Sequence, residues 1–401
     1  MIKLGCNTSL PSGWQWAEAG KVIDIRDGTH DSPKPVEVGI PLVTSKNLKN
    51  GKIDFSTCTN ISAEDHEQIS KRSAVDDGDI LYAMIGTIGN PVIVQGDRDF
   101  SIKNVALFKF SKSQVFNRFF YHLLGSSLVA QQFEKNARGG TQKFVSLGNI
   151  RALQIPLPPL DEQKRIAAIL DKADAIRQKR KQAIDLADEF LRSVFLDMFG
   201  DPVTNPKGWE TITLNEVTTK ITDGVHSKPE YTESGVPFVS VKNITTGVLS
   251  FDDTKYISPN AHEKYIKRCN PELHDILYTK VGATYGRPAI VEVDKEFSLY
   301  VSVALIKPNH ELVNPYFLKE VLATSALKRQ ADRAIKGAGV PDLHLVEIKK
   351  FIIPLPDMSI QEEYVNKTKN IRSKKLKFQQ SLELIEENFK SLSQRAFSGK
   401  L

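Results

Sequence analysis

The segment LDEQKRIAAILDKADAIRQKRKQAIDLADEFLRSVFLDMFG (residues 160–200) decides the fold of this 401-residue chain. Proline is excluded from helix interiors, and Pro159 stands immediately before the segment while Pro202 follows it. Asp161 is predicted to cap the start of a helix, and Gly200 is predicted to end it. The segment is therefore predicted to form one long helix.

Apolar residues recur at heptad spacing along this helix. One series comprises Leu170, Ile184, Leu191 and Met198, and a second comprises Ile166, Ala173, Ala187 and Val194. A helix of this length is a rod of roughly 55 Å, which is too long to be buried within one ordinary domain. The rod is therefore expected to need a partner of similar length.

The C-terminal part of the chain supplies such a partner. Ser359 and Glu362 are predicted to form a capping box at the start of a second long helix that runs to Ser398. Its heptad series comprises Ile371, Phe378, Ile385 and Leu392. We expect the two helices to form an antiparallel pair that joins two domains. The alternative is that each amphipathic helix packs only on its own domain.

Composition limits the class of protein. Hydrophobic residues make up 40% of the chain, yet no apolar run approaches 18 residues and the N-terminus has no signal pattern. A folded, soluble, cytoplasmic protein without a membrane partner is expected. The three cysteines, Cys6, Cys58 and Cys269, form no CxxC pair, so neither disulfides nor a zinc site is predicted. The net charge of +6 is compatible with a nucleic-acid partner.

The chain is a tandem repeat. PSGW at 11–14 recurs as PKGW at 206–209, DGTH at 27–30 as DGVH at 223–226, PLVTSKN at 41–47 as PFVSVKN at 237–243, DILY at 79–82 at 275–278, and IPLP at 155–158 at 353–356. The offset rises only from 195 to 198 over this length. Two copies of one structural unit are therefore predicted.

Each copy mixes short β-rich runs with helical stretches, such as Phe116 to Phe133. The predicted fold is α/β: two similar mixed α/β domains, separated by two long antiparallel coiled-coil helices, with pseudo-twofold symmetry. The predicted boundaries are residues 1–157 for the first domain, 158–200 for the central helix, 201–356 for the second domain and 357–401 for the C-terminal helix. Such an arrangement suits two sites along a DNA duplex.

The sequence resembles the specificity subunits of type I restriction-modification systems over essentially its whole length. The matching strings are LPSGW at 10–14, IPLPPLDEQKRI at 155–166, MFGDP at 198–202 and AFSGKL at 396–401. The resemblance implies two target-recognition domains, each reading one half of a bipartite, asymmetric DNA sequence, with the helices setting the gap between the halves.

The same resemblance implies the partners. These are double-stranded DNA, two methyltransferase subunits that dock on the chain and, in the full complex, motor-nuclease subunits. The chain itself is then a non-catalytic specificity subunit that needs no cofactor and no metal. Two alternatives are a self-sufficient DNA methyltransferase or nuclease, and a coiled-coil protein scaffold without DNA specificity.

Near-matches to catalytic motifs do not support the enzyme alternative. Asp342 and Glu347 have the letters of a nuclease signature, but the four residues between them leave too little room for two strands. The matching positions in the first copy, Phe144 and Asn149, carry no acid. No nucleophile, base and orienting group occur at a recognisable spacing, so no active site is predicted.

Comparison of the two copies also suggests DNA contacts, because domains that share a scaffold but read different bases should agree at phosphate contacts and differ at base contacts. The agreeing candidates are His30, Lys46 and Asn47, matched by His226, Lys242 and Asn243. The two histidines are interpreted as DNA or loop hydrogen-bonding groups. The lysine-asparagine pairs are interpreted as phosphate ligands, or alternatively as a surface turn with a solvated lysine.

The differing candidates lie mainly in the loop after residue 137. Arg138, Gln142 and Lys143 have the hydrogen-bonding groups for guanine or adenine, and Lys336 and His344 flank the corresponding loop of the second copy. Two further differences are Met84 against Lys280 and Asn90 against Arg287. Lys280 and Arg287 are therefore also predicted to contact bases, although loop residues also differ through neutral drift.

Overall fold

The computed structural model describes residues 10–86, 88–136, 144–335 and 339–401, except for the side chains of residues 135 and 136. The chain divides into two compact units. One comprises the residues up to Gln182 together with Gln379–Leu401, and the other comprises Ala183–Phe378. Each unit therefore contains one domain and a segment of each long helix. Within the described residues, no helix is both long and apolar enough to cross a membrane.

The first domain is built from short elements. Its strands are β1 Gln15–Glu18, β2 Asp24–Asp27, β3 Ile40–Thr44, β4 Leu48–Lys49, β5 Lys52–Ile53, β6 Thr59–Ile61, β7 Ile80–Ala83, β8 Gly89–Ile93, β9 Ser101–Lys103, β10 Val105–Lys109 and β11 Gln154–Leu157. Its helices are α1 Ala19–Val22, α2 Ala63–Ser73, α3 Asn117–Leu124, α4 Ser127–Asn136 and α5 Leu147–Arg151.

The strands of the first domain form an antiparallel sheet in the order β2-β10-β7-β8 and a mixed sheet in the order β6-β3-β9, with two-stranded pairs β1-β11 and β4-β5. The four-stranded sheet has apolar residues on both faces. Ile80, Ala106 and Phe108 pack towards α3 and α4, while Leu81, Val105 and Leu107 face a second core under the mixed sheet. The domain therefore has a two-core, mixed α/β architecture.

After the first domain the chain continues as helix α6, Leu160–Phe199. The second domain follows. Its strands are β12 Thr211–Thr213, β13 Thr218–Asp223, β14 Val236–Val239, β15 Lys255–Ile257, β16 Ile276–Thr279, β17 Pro288–Ile290, β18 Ser298–Leu299, β19 Val303–Pro308 and β20 Ile352–Pro354. Its helices are α7 Pro259–Ile266, α8 Pro315–Ala323, α9 Ser325–Ala334 and α10 Leu345–Ile348, and the last helix of the chain is α11 Met358–Phe397.

The second domain repeats the topology of the first. Its sheets have the orders β13-β19-β16-β17, β15-β14-β18 and β12-β20, each the counterpart of a sheet in the first domain. Two cores again lie on the two faces of the four-stranded sheet. The prediction of two similar mixed α/β domains is confirmed.

Both long helices are continuous, with 40 residues in each. In the first unit, Ile166 and Leu170 of α6 share a core with Phe397 of α11, and the Lys181 Nζ lies 2.9 Å from a Glu386 carboxylate oxygen. In the second unit, Phe195 packs on Tyr364 with 5.8 Å between ring centroids, and Asp188 pairs with Lys375. In both units, rising residue numbers on α6 meet falling numbers on α11. The helices therefore contact each other as well as the domains.

A buried glutamine fixes the start of each long helix to its domain. The Gln163 Oε1 accepts a hydrogen bond from the Phe116 backbone N–H at 2.7 Å, and its Nε2 donates to the Pro158 carbonyl at 2.9 Å. Gln361 makes the equivalent bonds to Asn314 and Pro356, both at 2.8 Å. Because both amide groups are satisfied inside the protein, the helix direction relative to the domain is specified.

The predicted helix ends are only partly correct. Gly200 follows the last residue of α6 with a φ of 76°, so the predicted stop is confirmed. The predicted caps are wrong, since α6 begins at Leu160 and α11 at Met358, which places Asp161 and Ser359 inside the first turns. The helical stretch predicted from Phe116 to Phe133 is also two helices, α3 and α4, interrupted at Gly125 and Ser126.

Candidate nucleic-acid interface

The duplicated DGxH segment follows the edge strand of each four-stranded sheet. Its glycine is required by a close backbone approach. A Cβ on Gly28 would lie 2.2 Å from the Ile102 carbonyl oxygen, and one on Gly224 would lie 2.0 Å from the Leu299 carbonyl oxygen. Any other residue would push the segment away from the neighbouring strand. The close approach fixes where the aspartate and histidine on either side project.

In the first domain, the DGxH segment forms a cluster around Asp27, whose side chain is only 7% exposed. The His30 Nε2 lies 3.0 Å from an Asp27 carboxylate oxygen, and the His30 Nδ1 lies 2.8 Å from the Asn104 Oδ1. The Arg72 guanidinium, from the end of α2, donates to the other carboxylate oxygen of Asp27. The hydrogen bond to Asn104 and that to Asp27 raise the pKa of His30, because the protonated ring donates from both nitrogens.

In the second domain, the equivalent cluster forms around Asp223. The His226 Nε2 lies 3.1 Å from an Asp223 carboxylate oxygen, and the Arg268 Nη2 donates to the same oxygen at 2.6 Å. The Lys280 Nζ lies 3.6 Å from the other oxygen. The aspartate is 3% exposed, whereas the histidine and the arginine are 59% and 58% exposed. A buried carboxylate thus holds a surface histidine and a surface arginine in place.

A cavity of about 170 Å³ lies beside the second cluster. The polar part of its lining comprises the acidic Asp223, the basic Lys264 and Arg268, and also His226 and Tyr265. Cys269 also lines the cavity, and burial raises the pKa of its thiol to about 12. The thiol is therefore not an activated nucleophile at neutral pH.

Lys280 does not lie where a base contact requires it. Its side chain is 7% exposed, and its Nζ lies between Asp223, at 3.6 Å, and Asp342, at 3.5 Å. The first-domain residues that match Lys280 and Asp342 are Met84, which is buried, and Phe144. The prediction that Lys280 reads a base is therefore corrected. The lysine forms internal ion pairs with Asp223 and Asp342, and the first domain carries apolar residues at the positions of Lys280 and Asp342.

The two matched asparagines are also internal. The Asn47 Oδ1 accepts from the Thr44 backbone N–H at 2.9 Å, and its Nδ2 donates to the Thr57 hydroxyl at 3.1 Å. Asn243 makes the equivalent bonds to Ser240 and Thr254 at 3.0 and 3.2 Å. Each asparagine is 3% exposed. The prediction that Asn47 and Asn243 hold phosphate is corrected, because their amides stabilise a 3₁₀ turn.

The matched lysines of these turns lie on the surface. Lys46 is exposed, as is Lys242, whose Nζ donates to the Asp253 carboxylate at 2.6 Å. Two of the differing candidates also reach the surface: Arg287 is exposed and its Nη1 donates to the Thr245 carbonyl at 2.5 Å, while His344 is 49% exposed. Arg138, Gln142, Lys143 and Lys336 lie outside the described residues.

The structure brings the differing segments of each domain together. In the second domain, Val281 forms a β-bridge with Asp342, and the Gly282 backbone N–H donates to the Pro341 carbonyl at 2.9 Å. In the first domain, Ile85 forms the equivalent bridge with Phe144. The loop after β7 or β16 therefore lies beside the segment before α5 or α10. In the second domain, Lys280 connects this pair of loops to the Asp223 cluster.

Several residues of the two clusters were missed from the sequence, although a signal was present. Asp27 and Asp223, and also Arg72 and Arg268, are separated by the 196-residue offset of the repeat. A second matched histidine pair, His66 and His262, was also missed. Each of these histidines lies 2.9 Å, through its Nδ1, from a serine hydroxyl, that of Ser101 or Ser298. The aspartate pair lies in the repeated DGxH string, and a position-by-position alignment of the copies would also have matched the arginine and histidine pairs.

The near-matches to nuclease chemistry do not form a site. Asp342 lies in the bridge to Val281, and Glu347 lies in the short helix α10. Across the described ranges, no group of three or more histidine, cysteine, aspartate or glutamate side chains is arranged to hold a metal ion.

Comparison with known proteins decides the family. Residues 11–186 and 206–386 each match the model of the type I restriction modification DNA specificity domain. The chain belongs to this family. The resemblance to type I specificity subunits predicted from the repeated strings is confirmed, and each repeat corresponds to one family match.

Relatives of this type I specificity subunit span most of its length. The type I restriction enzyme EcoBI specificity subunit of Escherichia coli is 26% identical over 359 residues, which cover 83% of this chain and 73% of the relative. The putative type I restriction enzyme MjaX specificity subunit of Methanocaldococcus jannaschii is also 26% identical, covering 90% and 87%. The S subunit of a type I system from M. genitalium has a similar fold, with a TM-score of 0.57 at 15% identity and coverage of 99% and 98%.

Proposed function

We propose that this specificity subunit reads a bipartite, asymmetric DNA sequence, with one half assigned to each α/β domain. The observation that carries the proposal is how the two copies compare. They share topology, the DGxH segment and a buried aspartate with its histidine and arginine, but they differ in the loops beside these clusters. Shared positions suit the DNA backbone, and differing loops suit different bases.

We propose that the base-reading side chains are Arg138, Gln142 and Lys143 for the first domain and Arg287, Lys336 and His344 for the second. Arginine and lysine recognise guanine, and glutamine recognises adenine, in the major groove. The exposed positions of Arg287 and His344 support the proposal for the second domain. Lys46 and Lys242 are proposed as backbone contacts because both are exposed at the same turn.

An exchange of domains tests this division of labour. Replacing residues 1–157 with the equivalent segment of a relative that has a known target should change one half of the recognised site and leave the other unchanged. The recognised site is read by sequencing methylated DNA after exposure to the complex with methyltransferase subunits. A change in both halves, or in neither, would show that the domains do not read independently.

We further propose that residues 158–200 and 357–401 form an antiparallel coiled coil that sets the gap between the half-sites, with pseudo-twofold symmetry. The heptad series and the contacts between α6 and α11 in both units support this. The C-terminal ends of the two helices are also alike, since each is followed by a glycine that lies close to a proline. A Cβ on Gly200 would lie 2.5 Å from Pro206, and one on Gly399 would lie 2.2 Å from Pro11.

The helices are tested as a ruler by deleting seven matched residues from each. Seven residues shorten a helix by roughly 10 Å, which corresponds to about three base pairs. The gap in the recognised site should then shrink by about three, or binding should be lost. A retained site with an unaltered gap would disprove the ruler role.

The proposed partners are two methyltransferase subunits, with motor-nuclease subunits joining in the full complex, and the proposed place of action is the cytoplasm. Two exposed leucines support paired docking. Leu186 on α6 and Leu384 on α11 are separated by the 198-residue offset and are 56% and 62% exposed. Acidic residues precede each leucine, Asp185 and Glu383. We propose that each leucine enters an apolar pocket with a basic rim on one methyltransferase copy, and that the chain itself performs no catalysis.

A further inference from the structure

We propose that the Asp27–His30–Arg72 and Asp223–His226–Arg268 clusters are phosphate clamps, each holding one backbone phosphate of the DNA half-site bound by its own domain. This inference rests on the proposed function and adds a specific ligand class and four further residues to it. Arg72 and Arg268 contact the phosphate, and Asp27 and Asp223 are positioning residues that orient the cations.

The exposures in the two clusters support this role. The aspartates are 7% and 3% exposed, whereas His30 and Arg72 are each 62% exposed, and His226 and Arg268 are 59% and 58% exposed. A cation needed only to neutralise a buried carboxylate would itself be covered. Here each arginine donates to the aspartate and keeps the remainder of its guanidinium group at the surface, while both ring nitrogens of His30 are bonded within the cluster, to Asp27 and Asn104.

The geometry also organises the cations for an anion. Arginine has five N–H donors in a planar fork, so binding one carboxylate leaves donors for a phosphate oxygen. Both the arginine and the histidine of a cluster contact the same aspartate. The two side chains are therefore held side by side before the ligand arrives, which reduces the side-chain entropy lost on binding. The second cluster adds Lys264 at the wall of its cavity.

The agreement between the copies distinguishes a phosphate from a base. All three side chains recur in domains whose neighbouring loops differ, at Met84 against Lys280 and at Phe144 against Asp342. A base contact is expected to change with the sequence that a domain reads, whereas the phosphate backbone is the same in every duplex. The clusters therefore belong with the part of the interface that does not depend on sequence.

The test measures the salt dependence of DNA binding by the chain assembled with methyltransferase subunits. Arg72→Gln, Arg268→Gln and the double variant are compared with the unaltered complex on a target duplex and on a duplex of random sequence. One lost phosphate contact should lower the slope of log K against log salt by about 0.9, and two should lower it by about 1.8. Each single variant should weaken binding to both duplexes by the same factor, roughly five- to tenfold near physiological salt.

Lys21→Gln is the matched control. It removes one cation that is 74% exposed and already paired with a carboxylate, Glu18 at 3.3 Å, but belongs to neither cluster. Its slope should equal that of the unaltered complex. Arg72→Lys and Arg268→Lys retain the charge and should keep most of the slope.

Three results would overturn the proposal: slopes unchanged in folded arginine variants, losses confined to the target duplex, or an equal loss in the control. If an arginine variant fails to fold, His30→Glu and His226→Glu replace it, since each sets a carboxylate against the same phosphate, and unweakened binding by these variants overturns the proposal as well. An unaltered complex that shows no preference for its target would refute the proposed function, whereas a clear preference with unchanged variant slopes would refute the clamps alone.

Discussion

Lys280→Met is expected to destabilise the second domain, because it removes the buried ammonium group that pairs with both Asp223 and Asp342. The lysine Nζ lies 3.6 and 3.5 Å from the two carboxylates, and its side chain is 7% exposed. At an effective dielectric constant of about 20, the attraction across 3.6 Å is roughly 4–5 kcal/mol. Desolvation of the ammonium group offsets much of this, and Arg268 remains on Asp223, so a net loss of about 1–3 kcal/mol is expected.

The first domain supplies the compensating change. It carries Met84 and Phe144 where the second carries Lys280 and Asp342. Replacing an ion pair with apolar residues of similar volume is often neutral, whereas removing one partner alone leaves a charge unpaired. The double variant Lys280→Met with Asp342→Phe should therefore recover most of the lost stability.

Native-state hydrogen exchange measures both effects by region. The amides of β16 in the second domain should exchange roughly tenfold faster or more in Lys280→Met, and those of β7 in the first domain should be unchanged. The double variant should return β16 to near its original rate. Unchanged exchange in the single variant, or a double variant that is no slower than the single, would refute the assignment of Lys280 as a structural tie.

Three further outcomes are expected. Gly224→Ala should unfold or strongly destabilise the second domain, by about 2 kcal/mol or more, because its Cβ would meet a backbone carbonyl at 2.0 Å; urea unfolding measures this, and a loss below 0.5 kcal/mol would contradict it. Because the pKa of His30 is higher in the folded protein than its unfolded value of about 6.5, protonation of this side chain stabilises the fold; the contribution is complete below the unfolded pKa and is lost as pH rises through the folded pKa. His30→Gln should therefore make the free energy of unfolding depend less on pH across that window. An unchanged pH profile would contradict the cause assigned to the shift. Leu186→Glu and Leu384→Glu should each remove one methyltransferase copy from the complex, measured by mass in solution, and full occupancy in the double variant would exclude these docking points.

Much of the fold could be predicted from the sequence because it follows from local rules and from the repeat. Prolines and glycines marked the ends of α6, and heptad spacing identified positions of this helix that are buried in the structure, such as Leu170 and Leu191. The predicted caps were wrong because each helix begins one residue before them, at Leu160 and at Met358, so that Asp161 and Ser359 lie within the first turns. The break between α3 and α4 was not predicted because the apolar spacing continues through Gly125.

The candidate site was less predictable because burial depends on residues distant in the chain. Lys280 looks like a surface residue until Asp342, 62 positions away, is brought beside it. The sequence around Asn47 indicates a polar surface turn, but in the structure its amide is buried and donates a hydrogen bond to Thr57. The aspartate and histidine of each cluster lie in the repeated DGxH string, whereas the arginine lies about 45 positions after the aspartate and is matched only when the two copies are aligned at every position.

The central claim is that two related domains on one chain read the two halves of one split site. Mapping the methylated bases in a random DNA library exposed to the chain with its methyltransferase subunits tests it most directly. The account predicts one asymmetric motif, made of two short specified segments separated by an unspecified gap of constant length. A single contiguous motif, or methylation without any sequence preference, would contradict it.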